Sequence, residues 1–476
     1  MLKKLAYFIK GYEWQTIVTP IFMIGEVSCE CIIPLITKNL INSIQNGCSM
    51  GEVTKDGLLL VAMALVSLTF GALAGKFCAT ASAGFAKNLR HGIFYKIQDF
   101  SFSNIDRFST SSLVTRLTTD VNNVQMAFMM IIRTAVRAPL MLIVATVMAA
   151  VVGKKLCWIF VCIIPFLGVG LIGIALKVMP KFRAVFRKYD NVNNSVQENI
   201  KGMRVVKSFV REEYEKEKFG ASSEELRRDF TTCERILAFN APLMQSAMYA
   251  SMLLISFFTA KIVVSSAGVE LGVGTLSSMI TYSMQVLMSL MMLSMIFVMI
   301  TMSVASAKRI TEVLEEVSDI TEPDNPVTQI KDGSIDFDNV SFKYSRKAQK
   351  NALSDIDLHI KSGMTVGIIG GTGSAKSSLV QLIPRLYDVT EGEVLVGGVN
   401  VKDYKLGALR DSVSMVLQTN LLFSGTIEEN LRWGDENATD DEITAAAKNA
   451  AADLIRFYLR LSSVIREQAA ISAYMK

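Results

Sequence analysis

Residues 370–378 read Gly370-Gly371-Thr372-Gly373-Ser374-Ala375-Lys376-Ser377-Ser378. Residue types in this order suit one task, holding the phosphates of a nucleotide. Glycines allow a tight wrap that aims backbone N–H groups at the β- and γ-phosphates, just before a helix. Lys376 would add a cation there, and the Ser377 hydroxyl would ligate Mg²⁺. The strict pattern is G-x-x-x-x-G-K-[ST], and Ala375 stands where that pattern has its last glycine. If the position needs a glycine-only backbone, alanine costs about 1–3 kcal/mol, or roughly one to two decades of affinity. Nucleotide binding is therefore expected to be weakened, not lost. A chance Gly/Ser turn followed by Lys-Ser is the plainer alternative, and the flanking residues argue against it.

Those flanks are the elements that must position the loop. Val366-Gly367-Ile368-Ile369 predicts a buried strand leading in, and Leu379–Leu386 a helix leading out. Ile335–Phe342 alternates loosely as a further strand. Upstream, 311–333 is acidic and holds Pro323 and Pro326, the marks of a linker. Asp440, Asp441 and Glu442 open a polar helix, where acids suit the N-terminus. They do not substitute for a hydrolytic carboxylate, and no catalytic residue is assigned.

The N-terminal two thirds is of another kind. Mean hydropathy is +0.36 over 476 residues although 20% are charged, the average of a very apolar part and an ordinary one. Six apolar runs approach the roughly 20 residues that span a bilayer: about 15–40, 57–80, 134–153, 156–178, 241–264 and 276–304. The loop at 81–133 is basic, and the loop at 179–240 carries about thirteen Lys and Arg. The alternate loops offer only Lys55, Lys154 and Lys155, so both termini and the long loops are expected in the cytoplasm. Helical spacing in 84–105 and 184–235 predicts that the spans continue below the membrane and turn back near 108–118 and 212–222. The charge balance, 49 − 44 = +5, does not point to nucleic acid. Seven cysteines without a C-x-x-C pair and only two histidines leave little for a disulfide scaffold or a histidine metal site.

Two features inside the spans could meet a solute. Glu26 and Glu30 lie one turn apart in the first span, serving either a cation or a structural partner such as Lys76. In the last span Met284, Met288, Met291, Met295, Met299 and Met302 share one helix face. Flexible thioethers suit a surface that re-packs around apolar ligands, and equally a packing or lipid-facing stripe. Glu26, Glu30, Met288 and Met295 are the candidates for a substrate pathway.

Over roughly residues 10–457 the chain resembles an ABC (ATP-binding cassette) exporter half-transporter. The carriers are the phosphate loop, Glu198–Phe209, Arg116–Asp120, Phe342-Lys343-Tyr344, Val416-Leu417-Gln418 and Phe423–Asn430. The resemblance implies a membrane α-helical domain of the ABC exporter type 1 fold over 1–310, six helices in all. A linker over 311–333 and a partial α/β P-loop NTPase (RecA-like) domain over 334–476 follow. It implies ATP and Mg²⁺ as ligands, with Gly370 to Ser378 on the phosphates and Tyr344 on the adenine. Ser377 and Gln418 fall at the metal, and Gln418 relays cassette closure to the loop tips. Implied partners are a second half-transporter subunit, the bilayer of the cell membrane and a hydrophobic, multidrug-like small molecule. No L-S-G-G-Q signature, no apolar strand ending in Asp-Glu and no switch histidine after it are found, His359 lying upstream. Residues 459–476 look atypical, and a reading-frame break near 458 would account for both observations. On this expectation the chain alone binds ATP without turning it over. It is then either an exporter subunit or a weakly binding, non-catalytic or inactive half.

Overall fold

The computed structural model describes residues 2–265, 272–345, 348–416 and 421–449, in two compact units, Met1–Thr321 and Glu322–Lys476. Gln418 and the 459–476 stretch lie outside the described residues.

The first unit is helical. It begins with α1 (Leu2–Ala6), α2 (Glu13–Gln45) and α3 (Met50–Gln98). Ser49 and Glu52 form a reciprocal cap that starts α3. Next come α4 (Phe102–Phe108), α5 (Thr110–Thr115), one π turn (Arg116–Asp120), α6 (Val121–Ile132) and α7 (Thr134–Gly153). A short 3-10 turn at Lys154–Cys157 makes the tight hairpin into α8 (Trp158–Lys201). The unit closes with α9 (Met203–Ser208), α10 (Glu212–Ala238), α11 (Asn240–Ser265) and α12 (Val273–Glu315). Among the described residues, six helical stretches are long and apolar enough to cross a membrane. In lipid only a helix satisfies its own backbone, so such runs have little alternative.

Among the described residues, the two largest of four apolar clusters do most to hold these helices together. One joins α2, α7, α8, α11 and α12 through Val27, Cys31, Met141, Ile159, Ile255 and Tyr282, with Ala145 and Ala149 fully buried on α7. Small residues let helices approach closely where no hydrophobic effect drives them together. The other joins α3, the α4–α6 loop and the end of α12 through Phe85, Leu89, Phe108, Val121, Ile310 and Val313.

The loop tips differ from expectation. The first turns at 99–109, where Ser101 and Asn104 form a reciprocal cap and Ser109 adopts φ 57°. The second turns at 202–211, where Gly202 ends α8; acidic Glu212, Glu213 and Glu215 then start a new helix, as its dipole favours. Residues placed at the tips by periodicity alone are therefore already inside helices.

The second unit holds a sheet of β1 (Ile335–Phe342), β2 (Leu353–Ile360), β3 (Glu391–Val396) and β4 (Val399–Asn400), in order β2-β1-β3-β4 and antiparallel throughout. Phe337 pairs with Leu358 and Val394, and with Val340, Phe342, Tyr404 and Leu409 it makes the core. The helices are α13 (Lys376–Leu382), α14 (Leu406–Ser412), α15 (Ile427–Leu431) and α16 (Asp440–Asn449).

Two local expectations fail here. Val366–Ile369 is no strand: it pairs with nothing among the described residues, and Ile369 is 99% exposed. An all-apolar strand is held by neighbours on both sides. The helix after the loop ends at Leu382, short of Leu386, because Pro384 cannot donate and disfavours a helical residue before it.

Candidate functional site

The phosphate-type loop is built from backbone that only a few residue types tolerate. Ala375 takes φ 58°, ψ 24°, the left-handed region, directly before α13. Gly373 has φ 84°, and a Cβ on Gly370 would stand 2.5 Å from Ser374 Oγ. The departure at Ala375 is thus a strained backbone position, as the spacing argument feared. Lys376 folds over the loop: its Nζ donates to Gly370 O at 2.8 Å, Gly371 O at 2.7 Å and Ser374 Oγ at 3.2 Å. The ammonium therefore lies where the loop closes, held only by neutral acceptors that an anion would outcompete. Thr372 and Ser377 are exposed, while Ser378 is buried.

Tyr344 is tied to the same place. Its hydroxyl is 2.7 Å from Ser378 Oγ, and its ring meets Phe342 and Tyr387 edge-on at 4.8 and 5.2 Å. The ring is half-exposed beside the loop. At the opposite end of β1, Asp336 accepts from His359 Nδ1 at 2.9 Å and holds the imidazole above its ordinary value.

In the membrane unit, Glu26 and Glu30 have a partner that the sequence reading passed over. Arg137 of α7 donates from Nη1 to Glu26 Oε1 at 2.5 Å, and from Nη2 to Glu30 Oε1 and Oε2 at 2.8 and 3.0 Å. Lys76 is not that partner. A lone arginine at the head of the 134–153 apolar run was the available signal, since an intramembrane charge needs an opposite one.

Glu30 and Arg137, without Glu26, form one wall of a cavity of about 480 Å³ between α2, α7 and α12. Met141, Met284, Met288 and Met292 supply much of the rest. Met295 is exposed and is not among its lining residues. Pro34, inside α2, has no N–H for the carbonyl of Glu30 four residues back. Gln285 Nε2 donates to that carbonyl at 3.2 Å, Tyr282 to Cys31 O at 2.8 Å, and Ser278 to Pro34 O at 2.7 Å. Polar side chains of α12 thus mend the α2 backbone beside the cavity.

Comparison with known proteins agrees with this division. The family model for the ABC transporter transmembrane region matches residues 16–290, and the model named ABC transporter matches 353–472. The second match runs across most of the 459–476 stretch that residue reading set apart. An uncharacterized ABC transporter ATP-binding protein of Bacillus subtilis, YfiB, is 33% identical over 94% of this chain and 78% of its own length. Another B. subtilis relative, whose name includes "multidrug export ATP-binding/permease protein", is 29% identical over 95% of this chain and 78% of its own length. The ATP-dependent lipid A-core flippase of Albidiferax ferrireducens is 26% identical over 94% and 77%. The chain spans between 60% and 78% of the length of the curated relatives it matches.

Proposed function

The chain belongs to the ABC transporter family, and we propose that it is one subunit of a dimeric, ATP-driven exporter of hydrophobic or amphipathic compounds. The observation that carries the substrate side is the methionine-lined cavity of about 480 Å³ within the membrane helices, a volume typical of small-molecule sites. The relatives named for multidrug export and lipid A flipping support the same direction of thought. The basic long loops support a cytoplasmic placement of both termini in the cell membrane.

The ATP side rests on the second unit. Gly370, Gly371, Thr372, Gly373, Ser374 and Ala375 form the cradle, and the residues fit it: a Cβ on Gly370 would fill the turn. Lys376 would leave the Gly370 and Gly371 carbonyls for a phosphate oxygen. Ser377, with Gln418, would hold Mg²⁺; Ser378 anchors Tyr344, whose ring would face the base. Bound ATP supplies the free energy that closes two such units on each other.

Dimerisation is supported by the second cytoplasmic loop. Met203, Val205, Phe209 and Val210 are exposed at its turn, and Val210 holds φ 52°, a strained value for a β-branched residue. A bare apolar tip of this kind suits a partner subunit.

ATP-dependent accumulation of a hydrophobic fluorescent compound in inverted vesicles carrying the chain tests the proposal. Lys376→Ala should abolish it; unchanged accumulation in that variant would refute the ATP-driven reading. The strained Ala375 favours a second reading, a half that binds nucleotide weakly beside a hydrolysing companion. On that reading Ala375→Gly should tighten ATP binding roughly tenfold or more in equilibrium titration, and equal affinities would remove it.

A further inference from the structure

The ion cluster beside the cavity, of which Glu30 and Arg137 reach the wall, is short of one positive charge. Two carboxylates, Glu26 and Glu30, share the single guanidinium of Arg137. Glu26 is 7% exposed, and among the described residues nothing donates to its Oε2. Gly71 of α3 closes on that carboxylate: a Cβ there would lie 3.2–3.3 Å from its atoms. Glu26 therefore packs against α3 behind the cavity, and Glu30, which shares its arginine, is the carboxylate on the cavity side.

A second unmatched acceptor points the same way. Gln285 lines the cavity, and because a carbonyl can only accept, its bond to Glu30 O must use Nε2. That leaves Oε1 buried, with no donor among the described residues. Burying a bare acceptor is costly, and an ammonium N–H relieves both this acceptor and the charge deficit. The remaining wall, Met141, Met284, Met288 and Met292, can re-pack around an apolar body.

We propose that this cavity binds a small protonated amine carried on an apolar body. Its N–H groups donate to the Glu30 carboxylate and to Gln285 Oε1, and its hydrocarbon lies on the methionines. The assignment rests on reading the cavity as part of the exporter's substrate path, and it narrows that path to cations with a free N–H. Arg137 does not oppose this, because its charge is already shared between two carboxylates.

The test uses the full chain in lipid nanodiscs, titrated calorimetrically against empty nanodiscs with three ligands of one shape. These are 1-adamantylammonium, its N,N,N-trimethyl form, which lacks N–H, and 1-adamantanecarboxylate. The amine should bind above the lipid background and the carboxylate should not. Glu30→Gln should weaken the amine about tenfold. Gln285→Met should weaken the amine severalfold and leave the trimethyl form unchanged. Equal or tighter binding of the carboxylate overturns the proposal, as does a folded Glu30→Gln variant with undiminished amine affinity. Should Glu30→Gln fail to fold, the two cations against Gln285→Met decide it alone: equal losses for both overturn the N–H assignment. Failure here alongside intact ATP-driven export of neutral compounds would remove the amine site and leave the exporter reading standing.

Discussion

The two long loops of the membrane unit share a plan, helix, short turn, helix, yet stand in opposite relations to the rest of it. The first is bound to the end of α12 by side chains spaced along one face. Asn123 meets Ser306 at 3.1 Å, Asp120 takes a two-pronged bond from Arg309, and Arg116 reaches Glu312 at 3.0 Å. Further on, Arg107 and Asn104 hold Glu316 at 2.8 and 2.9 Å, and Ser103 holds Asp319 at 2.9 Å. Positions 306, 309, 312, 316 and 319 follow a three-and-four rhythm, so one helical stripe and its continuation carry these side-chain contacts. The Arg116 guanidinium also lies 4.7 Å over the Phe108 ring.

The ion pairs of the second loop, among the described residues, join it to itself. Lys188 pairs with Glu225 and Asp229 at 2.6 Å, and Arg227 with Glu224 at 2.6 Å, all at solvent-exposed positions. Its apolar tip faces outward. Exposed pairs of that kind contribute little, whereas breaking a buried one leaves a charge without water or partner. The lesson is mechanical. The first loop extends α12 as one body, so whatever moves the residues after Glu315 moves it as well. The second is a free lever whose end has apolar surface to offer.

Breaking the tip should have the largest effect on activity and almost none on fold. Phe209→Ser with Val210→Ser should lower ATP-driven accumulation about tenfold or more. The melting midpoint of the isolated chain should stay put, surface changes being within about 0.5 kcal/mol. A loss of stability that parallels the loss of transport would mean that the tip packs within its own chain. The first loop should behave in reverse. Asp120 is wholly buried, and Asp120→Ala should destabilise by about 2–3 kcal/mol in detergent melting, because the two-pronged bond to Arg309 goes with it.

A smaller effect sharpens the same contrast. Arg107→Glu should cost only about 0.5–1 kcal/mol, since Arg107 is largely exposed, and Glu316→Arg added to it should restore the loss. No rescue would mean that the pair is incidental to the α12 stripe. The weakest expected effect is in the cassette unit, where the exposed His359–Asp336 pair calibrates what a surface contact does. Asp336 raises the His359 value above its ordinary 6.5, so the pair stabilises below that value and its contribution fades as pH rises through the folded one. Wild type and His359→Gln should therefore differ in melting at about pH 5.5 and converge at about pH 8.5. A difference that grows with pH would contradict the assigned sign.

How far the sequence could be read depended on the range of the interaction that decides each feature. Six spans were legible because each run satisfies its backbone internally, whatever its neighbours do. Ile335–Phe342 was legible as a strand from its loose alternation, while the register shift after Phe337 was not. Val366–Ile369 was misread because an apolar tetrapeptide does not carry its own strand partners. The loop tips were misplaced by several residues because continuous apolar spacing hides a stop, while Gly202 and the Ser101–Asn104 cap were the local signals passed over. Gln418 lies outside the described residues, so its role stays with the family resemblance.

The amino-acid order alone determined the class of each half: long apolar helices that must lie in lipid, and a loop whose glycines and lysine suit phosphate. It also marked Ala375 as the odd residue, because backbone preference is a property of single positions. Only the tertiary structure decided that Arg137 sits between Glu26 and Glu30, that Gln285 mends the carbonyl freed by Pro34, and that one loop is clasped and the other bare. Those are matters of which helix faces which. A charge or an unpaired carbonyl states what it needs, but packing between distant segments chooses what supplies it.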